Sequence, residues 1–115
     1  MSLFRRTTIP TVTVADLAET MAEKPGTVVV DVREPHEYAA GHVPGALSMP
    51  LATVPARHNE LPRDRTVHLI CQAGMRSAQA ARWLAKQGYQ VANVVGGTGV
   101  WIGNGNPVRT GSRSR

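Results

Sequence analysis

Three short apolar runs most constrain this chain: Thr27–Val30, Val67–Ile70 and Val91–Val95. Each is rich in β-branched residues and lacks polar alternation, the pattern of a strand covered on both faces. The stretches around them carry helical spacing instead. Ser77–Gln87 sets Ala80, Ala81, Leu84 and Ala85 on one face and meets a natural stop at Gly88. Thr13 can cap a helix beginning at Val14, with Asp16 in its first turn and Leu17 and Met21 one turn apart, before Pro25-Gly26 end it. Pro35–Ala40 reads as a helical turn closed by Gly41, Ala46–Ser48 as a further strand, and Leu51–Asn59 as a helix. Buried strands alternating with helices predict an α/β fold with a mostly parallel sheet.

In such a sheet, ligands gather beyond the carboxyl ends of the strands. Asp31, Cys71 and Gly96 each follow a predicted strand end, and Cys71 is the reactive atom among them. It is also the single cysteine, which excludes an internal disulfide, a CxxC redox pair and a multi-cysteine zinc site. The segment Cys71-Gln72-Ala73-Gly74-Met75-Arg76-Ser77 joins an apolar strand to an amphipathic helix. Gly74 frees the backbone to curl, so that successive N–H groups form an anion nest. The helix expected from Ser77 adds its positive dipole end, and Arg76 adds a full charge. A cysteine opening such a loop should ionise below the free-thiol value of about 8.5. A lone cysteine at a strand end is more often a small buried hydrophobe. The glycine turn and Arg76 together shift the balance to a nucleophile that meets an anionic substrate.

Two chemistries use this geometry. A phosphatase loop surrounds a phosphoryl group; a sulfur-transfer loop surrounds the outer sulfur of a cysteine persulfide. Four residues separate Cys71 from Arg76, one fewer than in the phosphatase pattern. The tighter nest suits one sulfur atom and cramps phosphate or arsenate.

Taken together, the motifs resemble those of the rhodanese family. CQAGMRS matches its active-site pattern of Cys, two residues, Gly, one residue, Arg-Ser. Asp31-Val32-Arg33-Glu34-Pro35, Glu37-Tyr38 and Gly41-His42-Val43-Pro44-Gly45-Ala46 match a second signature, and Gly96-Gly97 followed by Trp101 a third. The resemblance runs from about Thr13 to Pro107. It implies a rhodanese-like α/β domain, a mostly parallel five-stranded sheet flanked by helices. It implies a sulfurtransferase in which Cys71 takes sulfane sulfur from thiosulfate or a persulfide and passes it to cyanide, a thiol or a sulfur-carrier protein. A persulfide relay serving tRNA or cofactor thiolation is the alternative it leaves open. Carried over by residue, Cys71 is the nucleophile, and Gln72, Ala73, Gly74, Met75, Arg76 and Ser77 form the cradle. Arg76 orients the loop or attracts an anionic donor, while Gln72 and Met75 tune partner choice. Asp31, Arg33, Glu34 and His42 are expected to serve structure, because a thiolate needs no strong general base; Arg33 is expected in a buried charge pair, with a place lining the pocket as the alternative. Trp101 is expected in the core.

Charge and length complete the expectations. The chain of 115 residues has a net charge of +5, but Arg5, Arg6, Arg109, Arg113 and Arg115 sit at its ends, and eight basic residues face eight acidic ones elsewhere. With aromatic residues at only 4%, nucleic acid is an unlikely partner. No histidine pair has the spacing of a helical metal site, so no metal or other cofactor is expected. No apolar run approaches the roughly 18 residues of a membrane helix. MSLFRRTTIP lacks the apolar region of a secretory signal, so a cytoplasmic location is expected. Residues 1–10 read as an N-terminal extension, 11–107 as the domain, and 108–115 as a basic disordered tail.

Overall fold

A computed structural model of the chain describes residues 8–113. Five strands form one sheet: β1 Thr11–Val12, β2 Val28–Asp31, β3 Leu47–Ser48, β4 Val67–Ile70 and β5 Val91–Val94. Their order is β1-β5-β4-β2-β3, and every pairing is parallel. The expected parallel α/β architecture is therefore what the chain adopts. All the carboxyl ends of the strands lie along one edge, so Asp31, Cys71 and Gly96 share it.

Alternation of side chains splits the sheet between two apolar layers. Val30, Val67, Leu69 and Val91 pack on one face with Met49, Val54, Leu61 and Ala80, Ala81 and Leu84 of α4, Met75–Lys86. Val29, Ile70 and Val94 pack on the other. There they meet Val14 and Leu17 of α1, Val14–Glu23, Tyr38 of α2, Pro35–Ala40, and Trp101. Helix α1 starts where expected. Thr13 accepts from the Asp16 amide, and the Asp16 carboxylate accepts from the Thr13 amide, a reciprocal cap.

Three readings of the sequence are corrected. Helix α4 starts at Met75, two residues before the expected Ser77. Gly74, at φ +111°, is the N-cap, so the turn is made by a left-handed glycine and not by a side-chain cap. The Leu51–Asn59 helix breaks into a 3₁₀ turn at Leu51–Thr53, a short α3 at Val54–Arg57 and a second 3₁₀ turn at His58–Glu60. Pro55 lies at the α3 start, where its missing N–H costs no hydrogen bond of α3 itself. The third correction concerns the tail. The chain leaves α5, Gly97–Gly103, and returns to α2. His42 and Arg109 exchange both backbone hydrogen bonds at 2.9 Å, and the Gly111 amide donates to the Ala39 carbonyl. Residues 109–111 are thus held by backbone pairing, which composition does not reveal. Arg5, Arg6 and Arg115 lie outside the described residues. Among those described, no helix is long and apolar enough to cross a membrane.

Candidate active site

Cys71 follows directly on β4, and the chain turns at Gly74 into α4, so the first turn of α4 faces back toward the sulfur. Cys71 is 1% exposed. Its Sγ accepts from the Gly74 amide at 3.1 Å and from the Ser77 hydroxyl at 3.2 Å. Burial pushes the thiol up. The Ser77 hydroxyl and the amides of Ser77, Gly74 and Ala73 outweigh it and leave the ionisation of Cys71 below its ordinary value. The early start of α4 matters here. It makes Ser77 the third helical residue, where amides have no partner within the helix.

The loop is fixed from behind by elements that the sequence reading left unassigned. Thr98 and Gly99 donate their amides to the carbonyls of Cys71 and Gln72 at 2.8 and 3.1 Å. Gly97, at φ +59°, makes this approach possible; a Cβ there would lie 2.4 Å from the Cys71 oxygen. Asn93 donates its side-chain amide to the Gly74 carbonyl at 3.1 Å. A lone polar residue in the apolar run Val91–Val95 is the signal that could have found it.

Two charged pairs flank the loop. Asp31 and Arg33 form the expected buried pair, their side chains 0% and 4% exposed. Asp31 Oδ2 accepts from Arg33 Nη2 at 2.8 Å, and Oδ1 accepts from both the Arg33 amide and Nε at 3.0 Å. The guanidinium also donates to the Gly41 carbonyl at 2.8 Å and to Gln72 Oε1 at 3.3 Å. The buried charge is thereby paired with a carboxylate, and Arg33 is tied to the cysteine loop. Arg76 is paired with a carboxylate and not hydrogen-bonded to the thiol, although the two charges still attract. Its Nη1 and Nη2 donate to Glu37 Oε1 and Oε2 at 2.7 and 2.9 Å, bridging α4 to α2. That hydrogen-bonded guanidinium holds the Glu37 carboxyl down at about 2.

The remaining candidates stand apart. His42 is buried, stacked on Tyr38 at 3.6 Å, and its Nδ1 donates to the Tyr38 carbonyl at 2.8 Å. Trp101 is in the core, its indole donating to the Pro107 carbonyl at 2.7 Å. Glu34 caps α2. Among the described residues Met75 is the most open large apolar side chain, 81% exposed, with Val95 and Val100 also exposed close to the loop. Among the described residues, no group of three or more His, Cys, Asp or Glu is arranged to hold a metal ion.

The arrangement is that of a buried sulfur met by converging N–H and O–H donors, which favour its ionised form. The family model of the rhodanese-like domain matches residues 13–104. The chain belongs to the rhodanese-like family. It is 40% identical over 93 residues to a sulfurtransferase of Allochromatium vinosum, covering 80% of this chain and 87% of that one. It is 45% identical over 76 residues to a putative sulfur carrier protein of Bacillus subtilis, YrkF, spanning 65% of this chain and 41% of that longer protein. Among solved structures, a rhodanese-related protein of Thermoplasma volcanium superposes with a TM-score of 0.80 at 33% identity, over 87% of this chain and 97% of the other. The rhodanese-like fold expected from the motifs is therefore shown.

Proposed function

We propose that this rhodanese-like domain is a sulfurtransferase that carries sulfane sulfur as a persulfide on Cys71. The observation that carries the reading is the convergence of the Ser77 hydroxyl and the Ala73, Gly74 and Ser77 amides on Cys71 Sγ. The relative named as a sulfurtransferase supports the same activity for this chain.

In the first half-reaction the Cys71 thiolate attacks the sulfane sulfur of the donor. An S–S bond forms at Cys71 as the donor's S–S bond breaks, and the electron pair leaves on sulfite or a donor thiolate. In the second, cyanide or an acceptor thiolate attacks the outer sulfur, and the pair returns to Cys71 as thiolate. No external oxidant is needed, because sulfur moves together with its oxidation level. Gln72, Met75 and Arg76 line the approach, while Asp31, Arg33, His42 and Trp101 hold the scaffold. A thiol that must stay free fits a reducing, cytoplasmic setting.

Intact-mass measurement tests this reading. Incubation with thiosulfate or a small persulfide should add one sulfur atom, and cyanide should remove it. Cys71→Ser should gain nothing while remaining folded. Sulfur loading that survives this substitution would refute the assignment of Cys71.

A further inference from the structure

We infer that Glu37 sets donor choice by opposing the charge of Arg76, so that the site favours alkyl persulfides, which carry at most one negative charge, over the thiosulfate dianion. The inference rests on the sulfurtransferase reading and narrows its substrate class.

The argument begins with the charges beside the thiol. Two guanidinium groups, Arg33 and Arg76, stand close to the loop. Arg33 is buried, with Nε and Nη2 on Asp31 and Gly41 and one N–H of Nη1 on Gln72. Arg76 is the cation that reaches solvent, with its side chain 37% exposed, and each of its outer nitrogens gives one N–H to the Glu37 carboxylate. The hydrogen bond that Arg76 donates to Glu37 chiefly raises the Arg76 ionisation, and the charges of Glu37, Cys71 and Glu34 add to it. Two cations thus stand among three carboxylates, Asp31, Glu34 and Glu37. A dianion approaching Cys71 meets, at Arg76, a guanidinium whose charge the Glu37 carboxylate already opposes. Thiosulfate carries two charges, and the leaving sulfite keeps them. An alkyl persulfide carries at most one, so it depends less on a free cation.

The surroundings favour the same class. Arg76 borders a groove of about 490 Å³ whose walls include Leu51, Val54, Pro55 and Trp83. The loop's rim exposes Met75, Val95 and Val100. These surfaces accept an apolar body attached to the sulfur, which thiosulfate lacks.

Glu37→Gln tests the idea. The substitution keeps an acceptor for Arg76 but removes the neutralising charge. Values of kcat/KM are measured for thiosulfate and for an alkyl persulfide, with cyanide as acceptor, at one fixed pH. The ratio of thiosulfate to persulfide kcat/KM should rise about five- to tenfold in the variant, as one exposed cation near an anion is worth. Its thiosulfate rate should now fall with added salt. An unchanged or lower ratio in a folded variant that loads sulfur would overturn the inference. Salt dependence of the parent protein is a second test that requires no variant. A rate with thiosulfate that is flat or rises with salt supports an Arg76 charge opposed by Glu37; a steep fall overturns it. If neither donor loads sulfur on Cys71, the sulfurtransferase reading itself fails and takes this inference with it, an outcome that intact mass separates from the others.

Discussion

Replacing Ser77 by alanine removes one donor from the Cys71 sulfur and little else. The hydroxyl lies 3.2 Å from Sγ, and Ser77 is fully buried. A hydrogen bond to an ionised acceptor contributes about 1.5–3 kcal/mol. Part of that persists with the neutral thiol, because the hydroxyl can rotate to accept. A difference of about 1.4 kcal/mol between thiolate and thiol is then a conservative figure, and it is tenfold in the ionisation equilibrium. At pH values below both ionisations, the variant should hold about one tenth of the thiolate. The thiolate that remains is more basic and a better nucleophile, by about threefold for a Brønsted slope near 0.4–0.5. Alkylation should therefore be about three- to fourfold slower than in the parent at low pH, and about threefold faster once both thiols are ionised. The two pH–rate curves cross. Iodoacetamide rates from about pH 5 to about pH 10 measure this directly, since Cys71 is the sole thiol. Curves separated by one constant factor would mean that Ser77 controls access and not ionisation. Superimposed curves would remove its hydroxyl from the account. The sign extends to stability. A thiol ionising lower when folded stabilises the fold above its unfolded value, and that share disappears as pH falls through the folded value. Ser77→Ala should lose about 1.4 kcal/mol of it in alkaline solution.

Three further outcomes are expected. Gly97→Ala, with its Cβ 2.4 Å from the Cys71 oxygen and 2.6 Å from that of Gln72, should cost more than about 2 kcal/mol in urea unfolding. It should also slow sulfur loading, and a neutral result would show that α5 is free to move. Asp31→Asn leaves the Arg33 guanidinium buried without its counter-ion and should cost about 3–5 kcal/mol, measured by denaturation. The Glu37 carboxyl, held down at about 2 by the Arg76 hydrogen bond, gives stability that is present above its ordinary value and is lost as pH falls toward about 2. With Arg76 partly open to solvent, the amount is about 1 kcal/mol. An acid-unfolding curve of Glu37→Gln that matches the parent would remove the bridge from the stability of the fold.

What was legible in the sequence followed from local chemistry. The runs forming β2, β4 and β5 were readable because burial on both faces demands unbroken apolar residues. The thiol loop was readable because a cysteine, a glycine and an arginine stand together at a strand end. The two-residue β1, by contrast, is too short to show any period. The start of α4 was misplaced because Gly74 makes the turn through its backbone alone and leaves no capping side chain to mark the first turn. The partner of Arg76 lies 39 positions away, and only the folded chain reveals that its charge is paired. Arg109 pairs through its main chain, so a stretch whose composition suggested disorder is held in place.

The opposed effects on Cys71 explain why one loop can serve both halves of the proposed cycle. Burial alone would leave an inert thiol, since desolvation disfavours the anion. Donors alone, in water, would give a stable thiolate with its reactivity blunted by solvent. Here the sulfur is 1% exposed, and the Ser77 hydroxyl and three amides replace the lost solvation. The resulting anion attacks donor sulfur without a base to take its proton. When an acceptor later attacks the outer sulfur of the persulfide, the group that must depart is the same thiolate, and a lower ionisation makes it leave faster. One set of donors thus favours loading and unloading alike. A phosphoryl group would instead need donors spread around three further oxygens. The observed donors converge on a single sulfur atom, which is why the geometry supports a sulfur carrier over a phosphatase.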